Sequence, residues 1–185
     1  MRWAALFEDL EVQLATAGQL HLDSEISDRA RMEQAAVKLA DRLRGQLGGT
    51  LKVRVSAHED FEGRLVHVGS EWLVLESGSQ SMLIPFSSAA VIHGLGRSTS
   101  ATQSFSDSRL KLTSALRVLS RDRAPLSVHL TGTDREGAVN GIIDRVGSDF
   151  IEVAVVPSGE YRRARNVVEM VAVPLHAVRA VVSQR

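Results

Sequence analysis

The sequence predicts a mainly β protein with helices (α+β), consisting of an N-terminal helix and a tandem duplication. Each duplicated unit is expected to be a helix followed by a strongly bent, five-stranded antiparallel small barrel. Three observations predict this: helical apolar spacing in the first 47 residues, short alternating runs after them, and a second stretch that repeats the first. The expected segments are an N-terminal helix over 1–22, a first unit over 23–95, a linker over 96–104 and a second unit over 105–185.

Apolar residues three and four positions apart predict the first two helices. The N-terminal helix carries such a stripe: Trp3, Leu6, Phe7, Leu10 and Leu14. Asp23 or Ser24 can cap a second helix, which is expected to end at Gly48-Gly49. The apolar side expected for this second helix is Ile26, Ala30, Val37, Ala40, Leu43 and Leu47.

Short alternating runs after this helix predict strands. Leu51, Val53 and Val55 alternate with polar residues, which is the period of a half-buried strand. Turn signals separate the later runs, which are a stretch through Leu65 and Val68, then Trp72 to Leu75, Met82 to Pro85 and Ala89 to Ile92. After the polar linker, a third helix is expected from Asp107 to about Arg121, and strands resume at Leu126.

The two β-rich stretches match each other closely. Nine positions from Gly63 to Leu75 match nine from Gly141 to Val153 at a constant offset of 78 residues, and each pair keeps its residue class. The pattern Val-Gly-Ser-acid-aromatic-apolar occurs in both stretches, and apolar-Pro-apolar follows it at Pro85 and again at Pro174. We interpret this as a duplication, in which the two glycines allow a bend or bulge and the two aromatics, Trp72 and Phe150, belong to the barrel cores.

A helix followed by five bent strands, with Gly-x-apolar-x-x-Val in the second, resembles the Sm/LSm/Hfq family. The chain also looks like a family of two-copy proteins of high-GC Gram-positive bacteria, some labelled transcriptional regulators. The resemblance implies self-association through edge strands and binding of U- or A-rich single-stranded RNA. The family's base pocket uses Asp or Asn, whereas the matching positions here are Gly69, Leu73, Gly147 and Ile151, so that pocket is not expected.

Composition limits the possible functions. The chain has 185 residues, with 22 basic and 22 acidic side chains, so it lacks the strong positive charge of many nucleic-acid binders. The absence of cysteine excludes disulfides, thiol nucleophiles and cysteine-ligated metals. No run reaches the ~20 apolar residues of a membrane span, so a cytoplasmic protein without a membrane partner is expected.

No motif predicts an enzyme, a cofactor or a metal site. Six histidines are scattered without the spacing of a metal site. Acidic clusters at Glu59-Asp60-Glu62 and Asp134-Glu136 fall in turns, where solvated carboxylates are the simpler interpretation than an acid–base pair. The chain is therefore predicted to be non-catalytic.

Local charge gives the candidate nucleic-acid contacts. Residues 95–124 contain six basic and two acidic side chains, a local charge of +4. A second basic cluster adjoins a tyrosine, and arginines beside an aromatic ring can bind phosphates while the ring stacks on a base. A solvated hairpin is the alternative for that cluster. The residues expected to contact RNA are Tyr161, Arg162, Arg163, Arg165, Arg117, Arg121 and Arg123.

Two functions are consistent with the sequence. The first is a non-catalytic RNA- or nucleic-acid-binding protein, with a role in post-transcriptional regulation. The alternative is a protein-interaction or oligomeric assembly module that recruits subunits through its edge strands and N-terminal helix. Neutral net charge and the missing pocket residues favour the alternative; the family resemblance and the basic cluster favour the first.

Overall fold

The computed structural model describes residues 29, 31–100, 110–132, 137–157 and 166–183. The chain divides into two compact units, Met1–Lys38 and Leu39–Arg185. In the first unit, residues 31–36 are helical and exposed. The N-terminal helix expected over 1–22 lies outside the described residues.

The described residues of the second unit form two short α-helices and ten strands. The helices are α1 (Leu39–Arg44) and α2 (Leu112–Asp122). The strands are β1 (Thr50–Ser56), β2 (Glu59–Val68), β3 (Trp72–Ser77), β4 (Gln80–Pro85), β5 (Val91–His93), β6 (Leu126–Leu130), β7 (Ala138–Val146), β8 (Phe150–Val155), β9 (Glu169–Pro174) and β10 (Val178–Ser183). A single 3₁₀ turn follows β4 at Phe86–Ser88 and another follows β9 at Leu175–Ala177.

All ten strands belong to one open antiparallel sheet, in the order β5-β1-β2-β3-β4-β10-β6-β7-β8-β9. The prediction of two separate helix-plus-barrel units is therefore wrong. The sheet is continuous because β4 pairs with β10, joining Leu83 to Val181 and Met82 to Val182. Strand edges carry unpaired N–H and C=O groups, and at this point the last strand of the chain satisfies them. We call β1–β5 the first half of the sheet and β6–β10 the second half.

The helix expected over 23–48 is interrupted among the described residues: 31–36 are helical, 37–38 are not, and helical structure resumes in α1. In the second unit it is only the six residues of α1, of which Ala40 and Leu43 are buried. Leu47, which shares the predicted apolar stripe, is exposed, so the stripe does not pack along its whole length. Helix α2 begins at Leu112 and ends at Asp122, and Arg123 terminates it in the left-handed conformation at φ 54°.

Two glycines allow the paired strands to approach each other closely, one in the β2–β3 hairpin and one in the β7–β8 hairpin. A Cβ on Gly63 would lie 2.5 Å from the carbonyl oxygen of Glu76, and one on Gly141 would collide with the carbonyl of Ala154. The ladder register shifts just after each glycine, between Leu65 and His67 in β2 and at the matching place in β7. Glycine is therefore required at both positions by backbone packing, and each long strand is irregular there.

The apolar side chains form two cores. The first core contains Leu43 of α1 with residues of β1–β4 and Ala180 of β10. The second core contains Leu112 and Leu116 of α2 with residues of β6–β10, and also Trp72 and Leu83 of the first half. The second core thus extends across the β4–β10 pairing.

Candidate assembly interface

We call the place where β4 meets β10 the junction. Side-chain hydrogen bonds hold it in addition to its two-residue strand pairing. Beyond the two paired positions, the Ser81 backbone N–H donates to Ser183 Oγ at 2.8 Å. At the other end of the ladder, Ser88 Oγ donates to the carbonyl of Arg179 at 2.7 Å. Side-chain hydroxyls thus extend the strand pairing in both directions.

The β2–β3 turn of the first half holds the segment that leads into α2. Trp72 Nε1 and Ser70 Oγ both donate to the carbonyl of Leu110 at 2.9 Å. The Leu112 N–H begins α2 and therefore has no acceptor within the helix. It donates to Glu71 Oε1 at 2.8 Å. A carboxylate at this end of α2 also complements the helix dipole.

Apolar packing joins the same elements. Trp72 is 8% exposed and Leu83 is 6% exposed, and both belong to the second core together with Leu112 and Leu116. The sequence correctly predicted that Trp72 is buried. The sequence assigned the ring to the core of the first predicted barrel, within residues 23–95. In the structure the ring packs in a core made mostly by the second half.

An ion-pair cluster crosses between the halves. Glu59 Oε2 accepts from Arg179 Nη1 at 2.9 Å, and Glu59 Oε1 lies 2.6 Å from His129 Nδ1. The Phe61 ring meets the His129 ring edge to face at a centroid distance of 5.6 Å. Glu59 is therefore not the solvated turn residue that the sequence predicted. An arginine inside the apolar run of β10 was the available sign that a carboxylate lies opposite it.

The β7–β8 turn of the second half repeats the geometry of the β2–β3 turn, but no described helix start is hydrogen-bonded to it. The Gly147 N–H donates to the carbonyl of Phe150 at 2.9 Å, as the Gly69 N–H does to that of Trp72. Phe150 is only half-buried, and Asp149 is exposed. Within the described residues, β9 pairs with β8 alone, so its outer edge is open. Met170 on this strand is 46% exposed.

The other end of the sheet is also open. Strand β5 pairs only with β1 among the described strands, and Val91 is exposed there. Leu39 of α1 is 42% exposed, whereas Leu112, which begins α2, is 7% exposed. In each helix the leucine four residues later, Leu43 or Leu116, is fully buried. The two helices thus present similar leucine pairs, of which only that of α2 is fully covered.

A charged cluster lies near the β5 edge. Asp60 contacts Arg54 Nε at 2.8 Å and Lys52 Nζ at 3.0 Å. Hydrogen bonds from Arg54 and then Lys52 hold the pKa of the Asp60 carboxyl far below its ordinary value of 3.8. The same hydrogen bond from Arg54 to Asp60 raises the pKa of the guanidinium.

The predicted RNA contacts separate into two groups. Arg117 and Arg121 lie one turn apart on the exposed side of α2, and Arg123 follows its end. These three make no ion pair with another described residue. Tyr161, Arg162, Arg163 and Arg165 lie outside the described residues.

No family model matches the chain, and no curated protein matches it. Among the residues that the structure describes, no helix is long and apolar enough to cross a membrane. The described part of the chain also contains no group of three or more histidine, aspartate or glutamate side chains placed to hold a metal ion.

Proposed function

We propose that this protein is a cytoplasmic, non-catalytic assembly module that joins its own copies head to tail. The open β9 edge of one copy would pair with the β5 edge of the next. The observation that carries the proposal is the contrast between the covered junction and the two open ends of the same sheet. A head-to-tail contact of this kind leaves one free edge at each end, so it closes into a ring or continues as a filament.

Backbone chemistry supports strand pairing at these edges. Strand β9 has six residues and β5 has three, and alternate residues in each direct their backbone N–H and C=O groups to the outer edge. That edge has no strand partner in the described part of the chain. Exposed edges are templates for pairing with another strand. In the junction, β4 uses its outer edge in this way to accept β10.

Side-chain complementarity supports the same partner. Phe150 occupies the place in its turn that Trp72 occupies in the first half, and it pairs with Pro174 across β8 and β9 as Trp72 pairs with Pro85. Leu39 occupies the place in α1 that Leu112 occupies in α2. We expect Leu39 of the next copy to cover Phe150, because Leu112 and Trp72 are packed in one core.

The test is the native mass of the wild-type chain and of a β9 variant, Met170→Lys with Ala172→Lys. Both residues are exposed on β9, so two lysines there should repel the incoming strand without disturbing a core. Analytical ultracentrifugation at about 50 µM should show wild-type oligomers and variant monomers. The matched control is Val118→Lys, because Val118 is exposed on α2 and distant in sequence from both edges. A wild-type monomer under these conditions would contradict the proposal.

A second candidate function is binding of single-stranded RNA, as the sequence predicted. The specific observation in its favour is the exposed, unpaired group Arg117, Arg121 and Arg123 described above. Fluorescence anisotropy with U-rich and A-rich oligomers at roughly 50 and 200 mM salt detects such binding, because phosphate contacts lose affinity as salt rises.

Two triple variants locate the RNA contact. Changing Arg117, Arg121 and Arg123 to Ala should weaken binding and flatten its salt dependence, and so should changing Arg162, Arg163 and Arg165. The control removes the same charge elsewhere, by changing Arg29, Arg64 and Arg145 to Ala. Equal losses in all three variants would mean that only net charge matters, and no binding by the wild type would eliminate this function.

A further inference from the structure

A cavity of about 240 Å³ lies between the last turn of α2 and the junction. Apolar side chains from both halves of the sheet and from the helix form most of its wall. They are Val74, Leu83, Leu119, Leu126 and Val181. Drug-sized ligands occupy pockets of roughly 300 to 1,000 Å³, so a space of this volume accommodates a smaller molecule with an apolar body.

The polar lining consists of three side chains that carry oxygen. Asp122 offers a carboxylate, and Ser81 and Ser183 each offer a hydroxyl. Ser183 Oγ already accepts one hydrogen bond, from the Ser81 N–H, and a hydroxyl oxygen has a second lone pair. None of the residues that line the cavity is basic. The polar part of the cavity can therefore accept hydrogen bonds from a cation, but it has no positive group to attract an anion.

Asp122 places an exposed negative charge beside the cavity. It is the last residue of α2, where the helix dipole already makes the surroundings negative. A carboxylate at this end destabilises a helix, and Asp122 forms no ion pair among the described residues. A cation beside Asp122 would offset this unfavourable interaction.

We propose that this cavity binds a small primary alkylammonium ion. Such a head group has three N–H donors, which match the carboxylate and the two hydroxyls in number and kind. Its alkyl chain lies along the wall formed by Val74, Leu83 and Leu119. This binding site is independent of the assembly proposed above, because it is complete within one chain.

The experiment compares n-hexylammonium with n-hexanol, which has the same chain without the charge. Titration followed by ¹H–¹⁵N NMR should shift the amides of Ser81, Asp122 and Ser183 for both compounds. The amine should bind at least about tenfold more tightly, because hydrogen bonds to charged groups are stronger than neutral ones. Equal affinities would overturn the proposal, and so would amine-induced shifts that leave these three amides unmoved.

Variants assign the selectivity to the polar groups. Asp122→Asn should remove the preference for the amine while leaving hexanol binding unchanged, and Ser81→Ala should reduce the preference partly. Asp149→Asn is the control, because Asp149 is an exposed carboxylate in the β7–β8 turn. Ala124→Leu should fill the cavity and abolish binding of both compounds. Retained amine preference in Asp122→Asn would contradict the proposal, and a loss in Asp149→Asn would show that only overall charge is sensed.

Discussion

The two halves of the sheet share a strand order and differ in what covers them. In each half the third strand begins with an aromatic residue after a Gly-Ser-acid turn, and the fourth strand ends in a proline followed by a 3₁₀ turn. In the first half the aromatic residue is buried by α2 and the fourth strand is paired by β10. In the second half Phe150 is half-buried, and β9 has no strand partner other than β8 among the described residues. In the proposed assembly, the open β9 side of one copy and the open β5 side of the next would form a second contact of the same kind.

The open surface is more polar than the covered one. Glu152 stands at the place in β8 that Val74 occupies in β3, and Ala172 stands where β4 has Leu83. Glu152 also contacts Arg145 Nε at 3.5 Å, on the neighbouring strand. We therefore expect the contact between copies to be weaker than the junction and to depend on protein concentration.

The largest effect should come from removing the two aromatic residues in turn. Trp72→Ala should lower the free energy of unfolding by about 3 to 5 kcal/mol, the usual cost of a buried large-to-small change. Phe150→Ala should cost clearly less at low protein concentration, because its ring is half-buried in a single chain. Urea denaturation of both variants measures the difference. Equal losses would show that the two aromatic sites are covered to the same extent.

The next effect concerns the ion pair between Glu59 and Arg179, which joins the two halves. Glu59→Gln should lower the free energy of unfolding by about 2 kcal/mol, since it leaves Arg179 partly buried without its charged partner. Glu62→Gln is the matched control, because Glu62 is an exposed carboxylate on the same strand. The comparison uses urea denaturation near neutral pH. A Glu59→Gln variant as stable as the Glu62→Gln control would show that this ion pair does not stabilise the contact between the halves.

A smaller effect distinguishes the two turn carboxylates. Glu71→Ala should cost about 1 kcal/mol, because it removes the side-chain acceptor at the start of α2. Asp149→Ala should cost almost nothing, because Asp149 is exposed and its side chain caps no described helix. Thermal unfolding of the two variants side by side is sufficient. A larger loss of stability in Asp149→Ala than in Glu71→Ala would contradict the capping role of Glu71.

The smallest effect is the pH dependence that Asp60 contributes. Its pKa is lowered in the folded chain, so its ion pairs stabilise the fold above the ordinary value of 3.8. That stabilisation should decrease as the pH falls below this value and vanish below the lowered pKa. The measurement compares wild type with Asp60→Asn from about pH 6 to about pH 2, and the gap should also shrink in about 1 M salt. A stability difference between wild type and Asp60→Asn that increases toward acid pH would contradict this prediction.

Local patterns in the sequence predicted the strands well and their long-range partners poorly. The run Leu51 to Val55 lies inside β1, and the Gly69-Ser70 turn separates β2 from β3. Alternation reports which residues share a face of a strand, but the pairing of β4 with β10 depends on contacts about 100 positions apart. The sequence therefore could not show that the two sets of strands form one sheet. The duplication itself stays a prediction.

The candidate interface was predicted only in outline. Self-association through edge strands was expected from the resemblance alone, without the strands that remain open. Trp72 was predicted to be buried, but the segment that it contacts, at the Leu110 carbonyl, could not be identified from spacing. Leu39 and Leu112 look alike in sequence, and they differ in exposure: only Leu112 belongs to a core that also contains an aromatic residue of the other half.

The most direct test mixes two variants that each lack one open edge. The β9 variant is Met170→Lys with Ala172→Lys, and the β5 variant is Leu39→Lys with Val91→Lys, all at exposed positions. Each variant alone should be a monomer by native mass spectrometry. An equimolar mixture should form heterodimers and nothing larger, because it retains one intact pair of edges, β5 of the first variant and β9 of the second. Monomers in the mixture, or oligomers of either variant alone, would contradict head-to-tail assembly through these edges.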